Sequence, residues 1–150
     1  MIRGTLYTGS QTGTLSARSF NGTTLGPAMV LNPYVANPGP VFSNVTGVFF
    51  SGGSIYYTIA GDATMHSRYF TPQSGVIGAV QFNVPSNGFN WSQARSLTMA
   101  SGRLYWATPD GRLHSATFTG TAPQAGTDGV VSGAGQGWGG NYGMFVLSSP

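Results

Sequence analysis

The sequence predicts an all-β fold, and three observations support this. The 150 residues include 24 Gly and 9 Pro, and 13% are aromatic, which is typical of short strands separated by turns. No segment has the 3.6-residue apolar period of an amphipathic helix. A Gly-x-apolar-Tyr pattern recurs every 49 residues, at 4–7, 53–56 and 102–105. Such a period indicates one small unit built three times, whose copies bury their apolar faces against each other.

The middle repeat shows the strands of one unit most clearly. Its β-branched and aromatic residues predict strands at 54–59, 64–70, 78–84 and 96–100. The segments between them contain typical turn pairs, such as Gly61-Asp62 and Asn87-Gly88. Matching segments occur at 6–7, 14–20 and 27–31 in the first repeat, and at 104–107, 112–118 and 129–132 in the third.

Four short antiparallel strands per repeat predict the blade of a β-propeller, so residues 1–150 form a single domain of three blades. The strand that precedes Ile55 and Leu104 has no counterpart before Leu6, but residues 143–147 match it. We therefore expect the first blade to be split between the two termini. Because three blades are too few to close a ring, we expect two chains to form one six-bladed propeller as a homodimer.

A monomeric β-trefoil is the alternative, because it also has three four-stranded repeats. Its lectin-type Q-x-W motif occurs only once here, at 136–138. An aromatic residue followed by an apolar strand, a turn and an aromatic strand occurs at both 42–57 and 91–106, which favours the propeller. Phe42, Trp91 and Trp138 share one repeat position, and we predict that they are framework residues.

The charged residues argue against several kinds of partner. All six basic residues are Arg, and they are scattered over the three repeats, giving a formal net charge of +3. Nucleic-acid binding requires a concentrated basic surface, so we expect none. The sequence has no Cys for a thiolate metal site. No apolar run is long enough for a membrane helix and no signal peptide is recognisable, so we expect no membrane insertion.

The same residues offer little for catalysis. The only acidic side chains, Asp62, Asp110 and Asp128, lie in predicted turns, whereas glycoside hydrolysis needs two carboxyl groups on either side of one bond. His66 and His114 occupy equivalent repeat positions without the further ligands that a metal site requires. No Ser lies in a G-x-S-x-G motif. We therefore expect no enzymatic activity, no catalytic residue, no metal and no cofactor.

Aromatic and arginine side chains are the remaining candidates for ligand contacts. An aromatic ring can stack on a sugar through its apolar face, and Tyr or Trp adds a polar group. Tyr57 and Trp106 share one repeat position, and Arg18 and Arg68 share another. We predict that these four residues bind a ligand. The other aromatic residues considered are Tyr69, Trp91, Trp138 and Tyr142.

Several segments resemble known propeller repeats. FNGTTLGPAMVLNPY at 20–34, NVTGVFFSGGSIYYT at 44–58 and MHSRYFTPQSGVIGA at 65–79 are similar to β-propeller repeats at the ends of large actinobacterial cell-surface proteins. GQGWGGNYGMF at 135–145 faintly resembles the blade of tachylectin, a sugar-binding propeller. The resemblance implies an extracellular or cell-surface location in a parent protein, and a glycan as a ligand.

Together these observations predict a non-catalytic β-propeller module that binds carbohydrate or a cell-surface partner. A purely structural or self-assembling propeller fragment without a ligand is the first alternative. A fragment of a glycoside-processing enzyme is the second.

Overall fold

The computed structural model describes residue 2 and residues 4–9, 15–31, 44–140 and 143–144. Over these residues the chain forms twelve strands in three antiparallel sheets, with two short 3-10 turns at Ala134–Gln136 and Trp138–Gly140. The predicted all-β class is confirmed. No helix within the described ranges has the length and apolarity that crossing a membrane requires.

Each sheet is formed by strands that follow one another in the chain, and the segment 96–100, the last predicted strand of the middle repeat, joins the third sheet. The first sheet has the order β1-β2-β3, with β1 at Thr5–Gly9, β2 at Leu15–Ser19 and β3 at Met29–Leu31. The second has the order β4-β5-β6-β7, with β4 at Val45–Ser51, β5 at Ser54–Ile59, β6 at His66–Thr71 and β7 at Val76–Ile77, and β8 at Phe82–Asn83 also pairs with β6. The third has the order β12-β11-β10-β9, with β9 at Arg95–Ala100, β10 at Arg103–Ala107, β11 at Leu113–Thr117 and β12 at Gly129–Ser132.

The predicted strand at 78–84 is interrupted, for a physical reason outside that segment. Its residues contribute only the two-residue strand β8, while β7 lies before them. The guanidinium of Arg68 donates to the carbonyl oxygens of Gly78 and Ala79. Those carbonyls are engaged by a side chain, while the Gly78 amide still donates to the Tyr69 carbonyl of β6 at 2.8 Å, and regular pairing with β6 resumes only at β8.

Most of the strand predicted to complete the split blade, at 143–147, lies outside the described residues. Gly143 and Met144 are described and lie in no strand, and residues 145–147 lie outside the described ranges. Phe42 also lies outside them. Strand exchange between the termini therefore stays a prediction.

The second sheet lies between the other two. On one side, its residues Ile55, Phe70 and Ile77 form a buried cluster to which Ile2 and Tyr7 of the first repeat contribute. On the other side, Phe49 and Tyr56 belong to a larger cluster with Leu104 and Phe118 of the third sheet. The three sheets thus pack face to face in chain order.

A glycine allows the second and third sheets to approach closely at β4 and β9. A Cβ atom at Gly47 would lie 2.6 Å from the backbone nitrogen of Leu97, well inside van der Waals contact. Gly47 therefore allows the first strands of these two sheets to lie side by side.

Trp91 closes the core between the second and third sheets. It is 1% exposed, stacks on Phe89 with ring centroids 5.4 Å apart, and meets Trp106 edge-on at 5.1 Å. The prediction that Trp91 is a framework residue is confirmed. Trp138, its counterpart in the third repeat, is half-buried.

Candidate functional site

A surface groove with a volume of about 310 Å³ lies on the side of the second sheet that faces the third. Strand register places three of its side chains in a row, because Tyr56 pairs with Ser67 and Ser67 pairs with Phe82. The turn at Gly120 and Thr121 forms the opposite wall. The groove is lined by Gly52, Ser54, Tyr56, Ser67, Tyr69, Phe82, Asn83, Val84, Pro85, Gly120 and Thr121.

Two exposed aromatic rings lie at this groove. Tyr69 is 66% exposed and Phe82 is 42% exposed, and their ring centroids are 5.5 Å apart at 72°. Their exposure follows from strand alternation, since Tyr69 lies between the buried residues Arg68 and Phe70 on β6. Two adjacent exposed rings offer apolar contact to a bound molecule.

A partly buried polar network occupies the opposite face of the same strands. The Tyr57 hydroxyl donates to Gln81 Oε1 at 2.7 Å, and it accepts from Arg68 Nε at 3.1 Å. The Gln81 amide nitrogen lies 3.1 Å from Nδ1 of His66. Burial raises the pKa of Tyr57, and the hydrogen bond from Arg68 partly opposes that rise.

Arg68 is the buried cation of this network. It is 4% exposed, and no carboxylate within the described residues pairs with it. Instead its Nη1 donates to two backbone carbonyls and its Nε to Tyr57. Because a buried charge must be compensated, these oxygen dipoles account for the position of Arg68 in the fold.

His66 has hydrogen-bond partners at both ring nitrogens. Its Nε2 lies 2.9 Å from Oδ2 of Asp62, and its Nδ1 lies 3.1 Å from the side-chain amides of both Asn83 and Gln81. The hydrogen bond from His66, followed by that from the Thr64 backbone, lowers the pKa of Asp62. With both nitrogens occupied, the imidazole has no free nitrogen for proton transfer to another molecule.

The four residues predicted to bind a ligand do not come together in one place. Tyr57 and Arg68 are hydrogen-bonded to each other but buried. Trp106 is 7% exposed and stacks on His114 at 5.4 Å in the third sheet. Arg18 is exposed on the first sheet, where it donates to the Gly26 carbonyl at 3.4 Å. Ligand binding by these residues stays a prediction, but burial removes Tyr57 and Trp106 from the surface.

The predicted turn residues are held by local contacts. Asp110 accepts from Thr108 and forms a 2.8 Å ion pair with Arg112. In the described ranges no three His, Cys, Asp or Glu side chains are grouped closely enough to hold a metal ion.

Tyr69 is among the aromatic residues that the sequence singles out, whereas Phe82 is not. Alternation along 64–70 places the side chain of Tyr69 opposite those of Arg68 and Phe70, which is a signal in the sequence for its exposure. Phe82 carries no comparable signal, because its exposure depends on how 78–84 pairs with β6, where Arg68 donates to the carbonyls of Gly78 and Ala79.

Comparison with known proteins finds matches among solved structures alone. No family model and no curated protein matches the sequence, whereas 28 chains of solved structures match the fold. One of them is described as a "putative 6-phosphogluconolactonase" from Bacteroides uniformis ATCC 8492, with a TM-score of 0.49 and 17% identity. The match covers 85% of this chain and 40% of that one, so this chain spans less than half of its neighbour's length.

This finding corrects the function expected from the sequence. The neighbour is described as an enzyme, whereas the sequence predicts a non-catalytic module that binds carbohydrate or a cell-surface partner. We therefore withdraw that prediction. A fold alone does not determine an activity, and a likeness this distant assigns none to this chain. The absence of enzymatic activity stays a prediction.

Proposed function

We propose that the three sheets are successive blades of a β-propeller and that the groove between the second and third blades binds a small uncharged ligand. Each sheet consists of strands that are consecutive in the chain, and the sheets pack face to face in chain order, as propeller blades do. A trefoil, by contrast, forms its barrel by pairing strands that are far apart in the chain.

The pair of exposed rings at Tyr69 and Phe82 carries the proposal of a ligand site. Their faces and edges suit a flat apolar surface such as a heteroaromatic ring. The hydroxyl groups of Ser54, Ser67 and Thr121 line the same groove and suit hydrogen-bonding groups at the edge of the ligand.

The residues that line the groove favour an uncharged ligand. Its lining residues include no Arg, Lys, His, Asp or Glu. An ionised ligand would lose water there without gaining a counter-charge, which is unfavourable. The buried Arg68 and His66 face the other side of the sheet and have partners of their own.

Ligand-detected NMR with a set of small neutral heteroaromatic compounds tests this proposal. We expect binding that weakens about tenfold in Tyr69→Ala and in Phe82→Ala, because each removes one aromatic contact. Met29→Ala is the matched control, since Met29 is an exposed apolar residue of the first sheet. Binding that survives both aromatic substitutions, or that is lost equally in the control, would overturn the assignment of the groove.

Monosaccharides form a separate arm of that experiment. They test the glycan ligand that the sequence resemblance implies, which stays a prediction along with the cell-surface location. Saturation by a sugar alone, with no heteroaromatic binding, would contradict the ligand class proposed for the groove.

A further inference from the structure

The contact between neighbouring sheets is the same at both junctions in the chain. Tyr7 of the first sheet meets Phe70 of the second edge-on at 5.3 Å, and its hydroxyl donates to the Pro72 carbonyl at 3.0 Å. Tyr56 of the second sheet meets Phe118 of the third edge-on at 5.1 Å, and its hydroxyl donates to the carbonyl of Gly120, also at 3.0 Å. In each case the accepting carbonyl lies two residues after the phenylalanine.

The backbone holds the two parts of this junction identically in all three repeats. Tyr7, Tyr56 and Tyr105 pair across their hairpins with Ala17, Ser67 and Ser115, respectively. The phenylalanines are held by their backbone amides, because Phe20, Phe70 and Phe118 donate to the carbonyls of Gly4, Gly53 and Gly102, respectively, at 2.7–3.0 Å.

Each of the two outer sheets carries one residue of this junction without its counterpart. Tyr105 on the third sheet is the third tyrosine of the series, and Phe20 on the first sheet is its first phenylalanine, with Gly22 two residues later. Both Tyr105 and Phe20 are half-buried, whereas Phe70 is 4% and Phe118 is 5% exposed. Neither ring contacts another aromatic ring within the described part of the chain.

We propose that these two halves join between two copies of this chain. The third sheet of one copy packs on the first sheet of the other, with Tyr105 edge-on to the partner subunit's Phe20. Its hydroxyl donates to the carbonyl of the partner subunit's Gly22. The proposal rests on the propeller arrangement proposed above, but it does not depend on the ligand groove.

Two such junctions close the assembly. Each copy contributes one Tyr105 and one Phe20, so a head-to-tail pair forms two identical junctions and leaves no half unused. The resulting six sheets fall within the four to eight blades of common propellers. A second copy of the chain fits this surface because its first sheet would continue the two junctions that already exist inside the chain.

The tryptophan series points to the same surface. Trp91 follows the second sheet and is buried against Trp106 of the third. Trp138 occupies the equivalent position after the third sheet and is half-buried, and within the described residues the indole nitrogens of both Trp91 and Trp138 are buried without a hydrogen-bond partner. A following sheet supplied by the second copy would cover Trp138 as the third sheet covers Trp91.

Charge does not drive this pairing. The third sheet carries Arg103, which donates to Ser115 at 2.8 Å, and the first sheet carries the exposed Arg18. Both free sheets thus bear positive charge, and association must depend on the rings and the tyrosine hydroxyl. We therefore expect added salt to strengthen the dimer or to leave it unchanged.

Sedimentation velocity and light scattering of the purified chain test the proposal. We expect a mass of twice 15.6 kDa. Tyr105→Ala and Phe20→Ala are each expected to weaken the dimer at least about tenfold, and Tyr105→Phe, which removes only the hydroxyl, to weaken it less. Tyr69→Ala is the control, because Tyr69 is an exposed tyrosine outside the junction. Circular dichroism shows whether each variant remains folded.

Mixing the two alanine variants distinguishes a head-to-tail pair from other dimers. In a mixed pair one junction carries both substitutions and the other is intact, so association should recover partly. A monomeric wild-type chain, a dimer insensitive to both substitutions, or a mixture without recovery would overturn the proposal. The groove experiment reports separately on the ligand site, since Tyr105 and Phe20 do not line it.

Discussion

The carboxylate of Asp62 and the imidazole of His66 lie 2.9 Å apart, with Asp62 at the surface and His66 in the interior. The side chain of Asp62 is 38% exposed, whereas that of His66 is 6% exposed. Asp62 also accepts the backbone amide of Thr64 at 2.8 Å. The pair thereby connects the turn after β5 to the partly buried polar network behind the groove.

This contact predicts a pH-dependent contribution to stability. Hydrogen bonds from His66 and Thr64 lower the folded-state pKa of Asp62 below its unfolded value, which is about 3.9. A lowered pKa stabilises the fold at pH values above the unfolded value. That contribution is lost as the pH falls through the folded-state pKa.

We expect Asp62→Asn to be less stable than wild type at pH 7, and the difference to shrink as the pH falls below about 4. Solvent screening of the partly exposed carboxylate keeps the difference below about 1 kcal/mol. Urea unfolding at a series of pH values measures it, with Asp128→Asn as the control. A difference that stays constant down to about pH 3 would contradict this explanation.

Arg68 is predicted to stabilise the fold much more than Arg18, its counterpart in the first repeat. Arg68→Ala leaves the Tyr57 hydroxyl and two carbonyls without their buried donor, so we expect a loss of about 2–4 kcal/mol. Arg18→Ala at the exposed position should change stability by less than about 0.5 kcal/mol.

Urea unfolding of the two Arg variants measures this difference. Arg68→Lys keeps the charge but lacks the branched donor group, so it should recover only part of the loss. Equal effects of the two alanine substitutions would show that burial of Arg68 does not determine its contribution.

Gly47 is predicted to be required for the approach of β4 to β9. Its added methyl group would collide with the backbone of Leu97, which cannot move as a side chain can. We expect Gly47→Ala to lower the free energy of unfolding by about 1–3 kcal/mol. Gly129→Ala on β12 is the matched control, because open space surrounds its Cβ position. Thermal unfolding compares the two, and similar melting temperatures would contradict the proposed close packing.

Much of the secondary structure was predictable because its causes are local. The strands Ser54–Ile59 and Gly129–Ser132 occur at the predicted bounds, since β-branched and aromatic runs between turn residues favour extended backbone regardless of their neighbours. Trp91 was predictable as a framework residue because its position repeats along the chain. The break between β7 and β8 was not predictable, because it depends on where the side chain of Arg68 reaches in the folded protein.

The candidate site was likewise predictable from the sequence only in part. Alternation along β6 separates Tyr69 from Arg68 and Phe70, and that division into two faces is a property of the sequence alone. Which face meets another sheet is decided only in the tertiary structure. There the packing of the sheets buries Tyr57 and Trp106 and leaves Tyr69 and Phe82 exposed at a groove. The physical reason is that burial depends on contacts between residues far apart in the chain, which the local pattern of a strand does not specify.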